Sequence, residues 1–334
     1  MRKFFCIILL PFVLMACNEG IEKPDLSNVS TDVSMIRFDS ILSVQRSDEL
    51  ENTIPEWLNN HPIFMQVFSQ EMIQLGNPID SKFPYYFRSF LTDTVIREVL
   101  LETNKQFTDI SALRKQISEG LKMYAYYLRP NIKLDIYFTI SGFNQSVLAS
   151  DSLLIFSMEK YLGRNHRFYS LLHIDNYKRM RMHQDRMVPD MLTALLYNDF
   201  EFDTNYGNTL LHSFIYEGKI QYVLKNLLPE VQDTILWNYS AEHWKWAVTN
   251  ETSIWTYLVE NDKIYLTESE QIRKFVSDAP FTAPLGQNSA PRALVFIGYR
   301  IVESYMKNHP EITLLQLLNM QDAQQLLEQS RYNP

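Results

Sequence analysis

The sequence predicts an α+β fold, mostly helical, with a small sheet packed against many helices. Three observations predict it. Apolar residues recur at spacings of three and four over long stretches, as in Leu113, Ile117, Leu121 and Tyr124. The period then drops to two across residues 133–140, the mark of a half-buried strand. Helical spacing returns afterwards and persists to the end of the chain. Hydrophobic residues make up 46% of the 334 and aromatics 13%, enough to build a substantial core.

Taken in order, residues 35–44 carry both periods and read as a strand or a short helix. From Trp57 the pattern is helical, with Phe64, Val67, Phe68 and Met72 on one stripe. Residues 92–101 and 112–128 follow as helices. In 133–140, Leu134, Ile136, Phe138 and Ile140 alternate with Lys133, Asp135, Tyr137 and Thr139. Ser141-Gly142 turns that strand, and 147–149 and 153–156 are two more. Residues 164–186 are locally basic, with Arg164, Lys178, Arg179, Arg181 and Arg186. They read as a solvated loop with internal ion pairs, or else as a partner-binding patch. Pro189 suits the first turn of a helix running to Tyr197. Asn208 or Thr209 caps the next, which stops at Leu227 before Pro229. Helices over 237–247 and 268–276 lead through a Pro/Gly-containing connection, 280–291, to a long apolar helix over 292–307. Short helices over 313–319 and 322–330 close the chain.

The N-terminus carries a different message. Arg2 and Lys3 precede an apolar stretch, residues 4–16, interrupted only by Pro11. This is the layout of a secretory signal and is too short to span a bilayer stably. Leu14-Met15-Ala16-Cys17 resembles a bacterial lipobox, in which the cysteine is lipidated and becomes the first mature residue. The predicted organisation is a signal peptide over 1–16, a flexible tether over 17–32 and a single domain over 33–334. Cys6 lies in the signal, so Cys17 is the only thiol left after cleavage. The mature chain therefore has no disulfide, no CxxC pair and no cysteine zinc cluster. The formal net charge is −8 and becomes more negative when Arg2 and Lys3 leave, which argues against a nucleic-acid partner.

Chemistry is sparsely signalled. The seven histidines contain no HExxH or similar metal spacing. There is no G-x-S-x-G elbow, and 9 glycines leave little material for phosphate loops. In the helix expected over 209–227, Leu210, Phe214, Ile220 and Leu224 lie on the same side as Glu217, so Glu217 points toward the apolar face. Gly218 beside it permits close approach of another element. An inward glutamate needs a partner. Either it pairs with an arginine or lysine in the core, or it serves a ligand or relic site. His212 stands about 140° around the helix and does not share a metal with it.

Several segments together resemble one family. They are MIRFD from Met35, the Met158 to Gly163 segment MEKYLG, RMVPDMLTAL, TLLHSFIYEGKIQYVL from Thr209, ETSIWTYLVEN from Glu251, APRALVFIGYRIVESYM from Ala290 and the final SRYNP. With the lipobox and in this order, they resemble the GldB family of gliding-motility lipoproteins of Bacteroidetes over nearly the whole mature chain. That family in turn looks like a remote relative of gluzincin-type zinc metallopeptidases, which implies a zincin-like scaffold. On this resemblance Asp190 stands where the first ligand histidine would be. Met191 replaces the general-base glutamate, Ala194 replaces the second histidine, and Glu217-Gly218 matches the third-ligand segment. A catalytic zinc needs three protein ligands and its water needs a base. Met191 takes no proton and Ala194 coordinates nothing.

The resemblance therefore implies a non-catalytic envelope lipoprotein associated with gliding motility or surface secretion machinery. It would be held in the membrane, expected to be the outer membrane, through lipid on Cys17. It would act by binding envelope proteins, without a cofactor or metal. Two alternatives stand beside it. One is a hydrolase with a site assembled from His173, His183, His212 and Glu217. The other is a peptidoglycan- or glycan-binding lipoprotein, which would need an exposed concave aromatic surface.

Overall fold

The strands are β1 (Asp32–Arg37), β2 (Lys133–Thr139), β3 (Val147–Ala149) and β4 (Leu153–Ser157). They form one sheet in the order β1-β2-β4-β3. β1, β2 and β4 are parallel, and β3 returns antiparallel on β4 as an edge. The structure, a computed structural model, describes residues 24–334. The signal segment, Cys17 and the first part of the expected tether lie outside the described residues. Within the expected tether, Val29 already packs against the core and Asp32 opens β1.

The ambiguity at 35–44 resolves into both elements. β1 runs to Arg37, and a helix, Phe38–Val44, starts directly after it. Arg37 holds the junction by donating Nε and Nη2 to the buried Asp39 carboxylate at 2.8 and 2.7 Å. The stripe from Phe64 to Met72 is an α-helix, Pro62–Val67, continued by a π-helical turn, Phe68–Met72. Its phenylalanines pack with Phe38, whose ring stands edge-on to Phe64 at 4.7 Å and to Phe68 at 5.7 Å.

β2 departs from simple alternation. Leu134, Ile136, Phe138 and Ile140 are buried as the period requires, and Lys133 and Asp135 are exposed. Tyr137 and Thr139 are buried as well. The reason is position: β2 is central in the sheet, and the Pro62–Val67 helix covers its second face. Phe64 stacks on Tyr137 with ring centroids 3.8 Å apart, and His61 Nδ1 lies 2.9 Å from the Tyr137 hydroxyl. The second half of this central strand is covered on both faces, so its polar positions there have no solvent side, whereas Lys133 and Asp135 keep theirs.

Most expected helices are present, including Thr94–Gln106, Ser111–Tyr127, Met187–Asp199, Leu210–Leu227, Ser269–Val276 and Ala293–Asn308. The helix expected over 237–247 is instead two, Asp233–Trp237 and Ala241–Thr249. Asn238 takes a left-handed conformation that ends the first, and Ser240 caps the second in a capping box with His243. Glu251–Glu260 adds a further helix. The buried apolar residues form one cluster extending from Phe38 to Leu326, so sheet and helices share a core. Among the described residues the largest fully buried side chains are all aromatic, Tyr124, Tyr161 and Phe214 among them. No described helix is long and apolar enough to cross a membrane.

Candidate functional site

Two helices and one close crossing position the site. Leu210–Leu227 begins where Thr209 accepts a hydrogen bond from the His212 N–H, satisfying an otherwise free donor. Gly218 in its middle faces Gly298 of Ala293–Asn308. A Cβ on Gly218 would stand 2.3 Å from the Gly298 carbonyl carbon, and one on Gly298 would stand 1.8 Å from the Phe214 carbonyl oxygen. Only paired glycines allow backbones this close. The crossing sets the start of the second helix, Arg292, beside Glu217.

Arg292 is the hinge of the arrangement. Its backbone is left-handed, with φ of 50°, which is uncommon for a residue other than glycine. Its side chain holds it there. Nε donates to the Val276 carbonyl at 3.0 Å, and Nη2 donates to Glu217 Oε2 at 2.6 Å. Tyr197 donates its hydroxyl to the same carboxylate oxygen at 2.8 Å. Burial disfavours charge on Arg292, but Glu217, Tyr197 and Asp278 together outweigh it and push the guanidinium pKa up. Burial, then Glu217, pushes the Tyr197 phenol up too.

About two turns before Tyr197 on the same helix, Met187–Asp199, Asp190 is 8% exposed and surrounded. Oδ1 accepts from Arg181 at 3.1 Å and from Arg186, and Oδ2 accepts from the Tyr161 hydroxyl at 3.1 Å. Burial opposes ionisation of Asp190, yet Arg186 and Arg181 overcome it and hold its pKa below the usual carboxylate range. Arg186 also donates to the Ile235 and Leu236 carbonyls, while its Nε has no acceptor. Arg181 spans outward to Asp278 at 2.6 Å.

These residues line a cleft with two lobes. The smaller, of about 310 Å³, includes Glu217, Arg186 and Arg292. The larger, of about 750 Å³, includes Asp190, Ala194, Lys160 and His173. Arg181, Thr193, Tyr197 and Asp278 line both, so the lobes adjoin.

The structure thus brings Asp190, Ala194 and Glu217 to one cleft. Met191 goes elsewhere: it is fully buried, with its Cε near Gly120 of Ser111–Tyr127. Gly218 faces Gly298 and serves the helix crossing. Two of the three histidines have partners of their own, and the third only lines the cleft. His173 lines the larger lobe, His183 meets Arg164 and Asp185, and His212 bonds Thr209. Among the described residues, no group of three or more His, Cys, Asp or Glu is placed to hold a metal ion.

The basic stretch over 164–186 does carry ion pairs, Arg167 to Glu98, Lys178 to Asp175 and Arg181 to Asp190 and Asp278. It is not simply solvated, because Arg186 is only 3% exposed. Arg181 and Arg186 were visible in the sequence as charge, but their target, Asp190, was not. Arg292 and Tyr197 carried no local signal, since neither belongs to a motif and their meeting with Glu217 depends on the helix crossing.

Fold and cleft together define a mostly helical domain with a small four-stranded sheet, whose central carboxylates are held by arginines. The chain belongs to the GldB lipoprotein family: the model of that family, described as gliding motility protein GldB, matches residues 19–334. Membership places the chain among gliding-motility-associated lipoproteins of the cell envelope. Comparison with curated proteins and with solved structures returned no match.

Proposed function

We propose that this domain is a degenerate zincin-like scaffold that works in the envelope by binding other proteins, with the cleft as its binding face. The observation that carries the reading is the fate of the two carboxylates. Asp190 and Glu217 stand at the positions that resemble metal-ligand sites, and each is engaged by arginine, Asp190 by Arg181 and Arg186, Glu217 by Arg292. Ala194 beside them has no donor atom to offer. A divalent cation at such a place would meet guanidinium groups at the atoms it needs, and Coulomb repulsion opposes its entry. Lipid on Cys17 would hold this face near the membrane, in the outer membrane on our reading, where surface machinery is assembled.

The test is chemical crosslinking and affinity purification of the tagged lipoprotein from its own envelope, with Arg181→Glu and Arg292→Glu variants alongside. Specific envelope proteins are expected with the wild type and lost with the variants at equal abundance. Metal analysis of the purified protein runs in parallel. One tightly bound zinc per chain, with peptide hydrolysis that falls in Glu217→Ala, would overturn the non-catalytic reading.

A further inference from the structure

The larger lobe of the cleft holds a cation that the ion-pair network leaves out. Five cationic side chains line the two lobes: Lys160, Lys178, Arg181, Arg186 and Arg292. Four have carboxylate partners, namely Asp175 for Lys178, Asp190 and Asp278 for Arg181, Asp190 for Arg186 and Glu217 for Arg292. Lys160 has none within ion-pair distance among the described residues. Its Nζ donates to the Phe143 carbonyl at 3.0 Å, which leaves two N–H groups of the ammonium to be satisfied.

The neighbours do not relieve it. Glu159 is adjacent in sequence but turns inward: its Oε1 accepts from the Ser141 and Phe143 N–H groups at 2.8 and 2.9 Å, and it is fully buried. Burial pushes the Glu159 carboxyl up, toward its neutral form, so it is a poor counter-charge. Burial also pushes the Lys160 ammonium pKa down, and Lys178 and Arg181 act in the same sense against the partial help of Glu159. Next door, the buried Arg186 Nε and Gln221 Nε2 are donors without acceptors, and both side chains line the smaller lobe. The cleft is therefore richer in donors than in acceptors, in a chain of formal charge −8.

We propose that the larger lobe binds an oxyanion, a carboxylate or a phosphate group of its partner, at Lys160 with Arg181 and Lys178 beside it. This rests on the reading of the cleft as a binding face and names the chemistry that the face recognises. An incoming oxyanion supplies a charged acceptor to Lys160 and offsets the mutual repulsion of the three cations. Charge-assisted bonds of this kind are the strong ones.

The experiment uses the full-length lipoprotein in detergent, treated with limiting N-hydroxysuccinimide acetate and read by peptide mass spectrometry. Inorganic phosphate and N-acetylglutamate are the probes, each at millimolar concentration, with sodium chloride at matched ionic strength. Lys160 is expected to be protected by one or both probes while exposed Lys115 and Lys133 are not. The probe that protects identifies phosphate or carboxylate as the source. Calorimetric affinity for that probe is expected to fall about tenfold or more in Lys160→Met. Absence of protection by both probes, or equal protection by chloride, overturns the proposal. If envelope proteins still crosslink through the cleft in that case, the partner-binding reading stands and the anion site alone falls.

Discussion

Replacing Gly298 by alanine tests the feature on which the cleft depends. The new Cβ would stand 1.8 Å from the Phe214 carbonyl oxygen and 3.4 Å from the Gly218 Cα. A relaxed carbon–oxygen contact is about 3.3 Å or longer, so the two helices must part by roughly 1.5 Å. The atom in the way is backbone, and a rotamer change does not move it. Overpacking of this kind costs about 1–3 kcal/mol and sometimes more. Alanine returns about 0.5–1 kcal/mol through helix propensity. Because the clash is with backbone, the upper end of that cost applies, and the net expectation is a loss of about 2 kcal/mol in urea unfolding, with an unchanged m-value. Gly120→Ala is the matched control. Its Cβ would meet Val188 Cγ1 at 3.1 Å, a side-chain atom able to give way, and the substitution is expected to be neutral within about 0.5 kcal/mol. Parting the helices also carries Arg292 away from Glu217. If Gly298→Ala unfolds at the same urea concentration as wild type, the close crossing does not hold the cleft together.

Three further expectations follow from buried groups. Asp190→Ala leaves Arg186, 3% exposed, without its counter-charge, and a loss of about 3–5 kcal/mol is expected in chemical denaturation. The double change Asp190→Leu with Arg186→Met should recover a large part of it. Met191→Glu places a carboxylate in the fully buried core site near Gly120 and is expected to destabilise by about 3 kcal/mol or to raise the new carboxyl's pKa strongly; an unchanged melting temperature would show that Met191 can reach the cleft. Lys219 is 4% exposed, donates to the Leu318 and Met320 carbonyls, and burial pushes its pKa down to about 8 from the ordinary 10.5. The folded state therefore binds fewer protons than the unfolded one between these values, so stability should rise with pH from about 8 toward 10, by up to about 3 kcal/mol. The rise is read as wild type minus Lys219→Met, and parallel curves for the two proteins would contradict it.

Local pattern told much of the fold. Helix ends at Thr209 and Leu227 were readable because a hydroxyl cap and a following proline act within a few residues. The strands at 133–139, 147–149 and 153–157 were readable because alternation and turn residues are local as well. Alternation alone puts Tyr137 on the solvent side, since sequence period cannot show that a second layer covers the strand. The break at Asn238 is not legible in the sequence, because a left-handed stop in an aromatic-rich stretch looks like helix continuing.

The candidate site shows the same division. Glu217 was legible as an inward glutamate beside a permissive glycine, because both facts follow from helical geometry. That its partner is Arg292, 75 residues away and in a left-handed backbone, was decided by the meeting of Gly218 and Gly298. Asp190 was marked by its place in PDMLTA, but its capture by Arg181 and Arg186 depends on how the turns before its helix fold back. The sequence by itself determined the mostly helical α+β plan, and it alone carries the expectations of an export signal, of Cys17 as the lone mature thiol and of a relic site at Met191 and Ala194. These are matters of residue identity and short-range period. Only the tertiary structure decided which charges neutralise one another, which lysine is left over and that Met191 belongs to the core, because Coulomb pairing and burial depend on distances that no local pattern encodes.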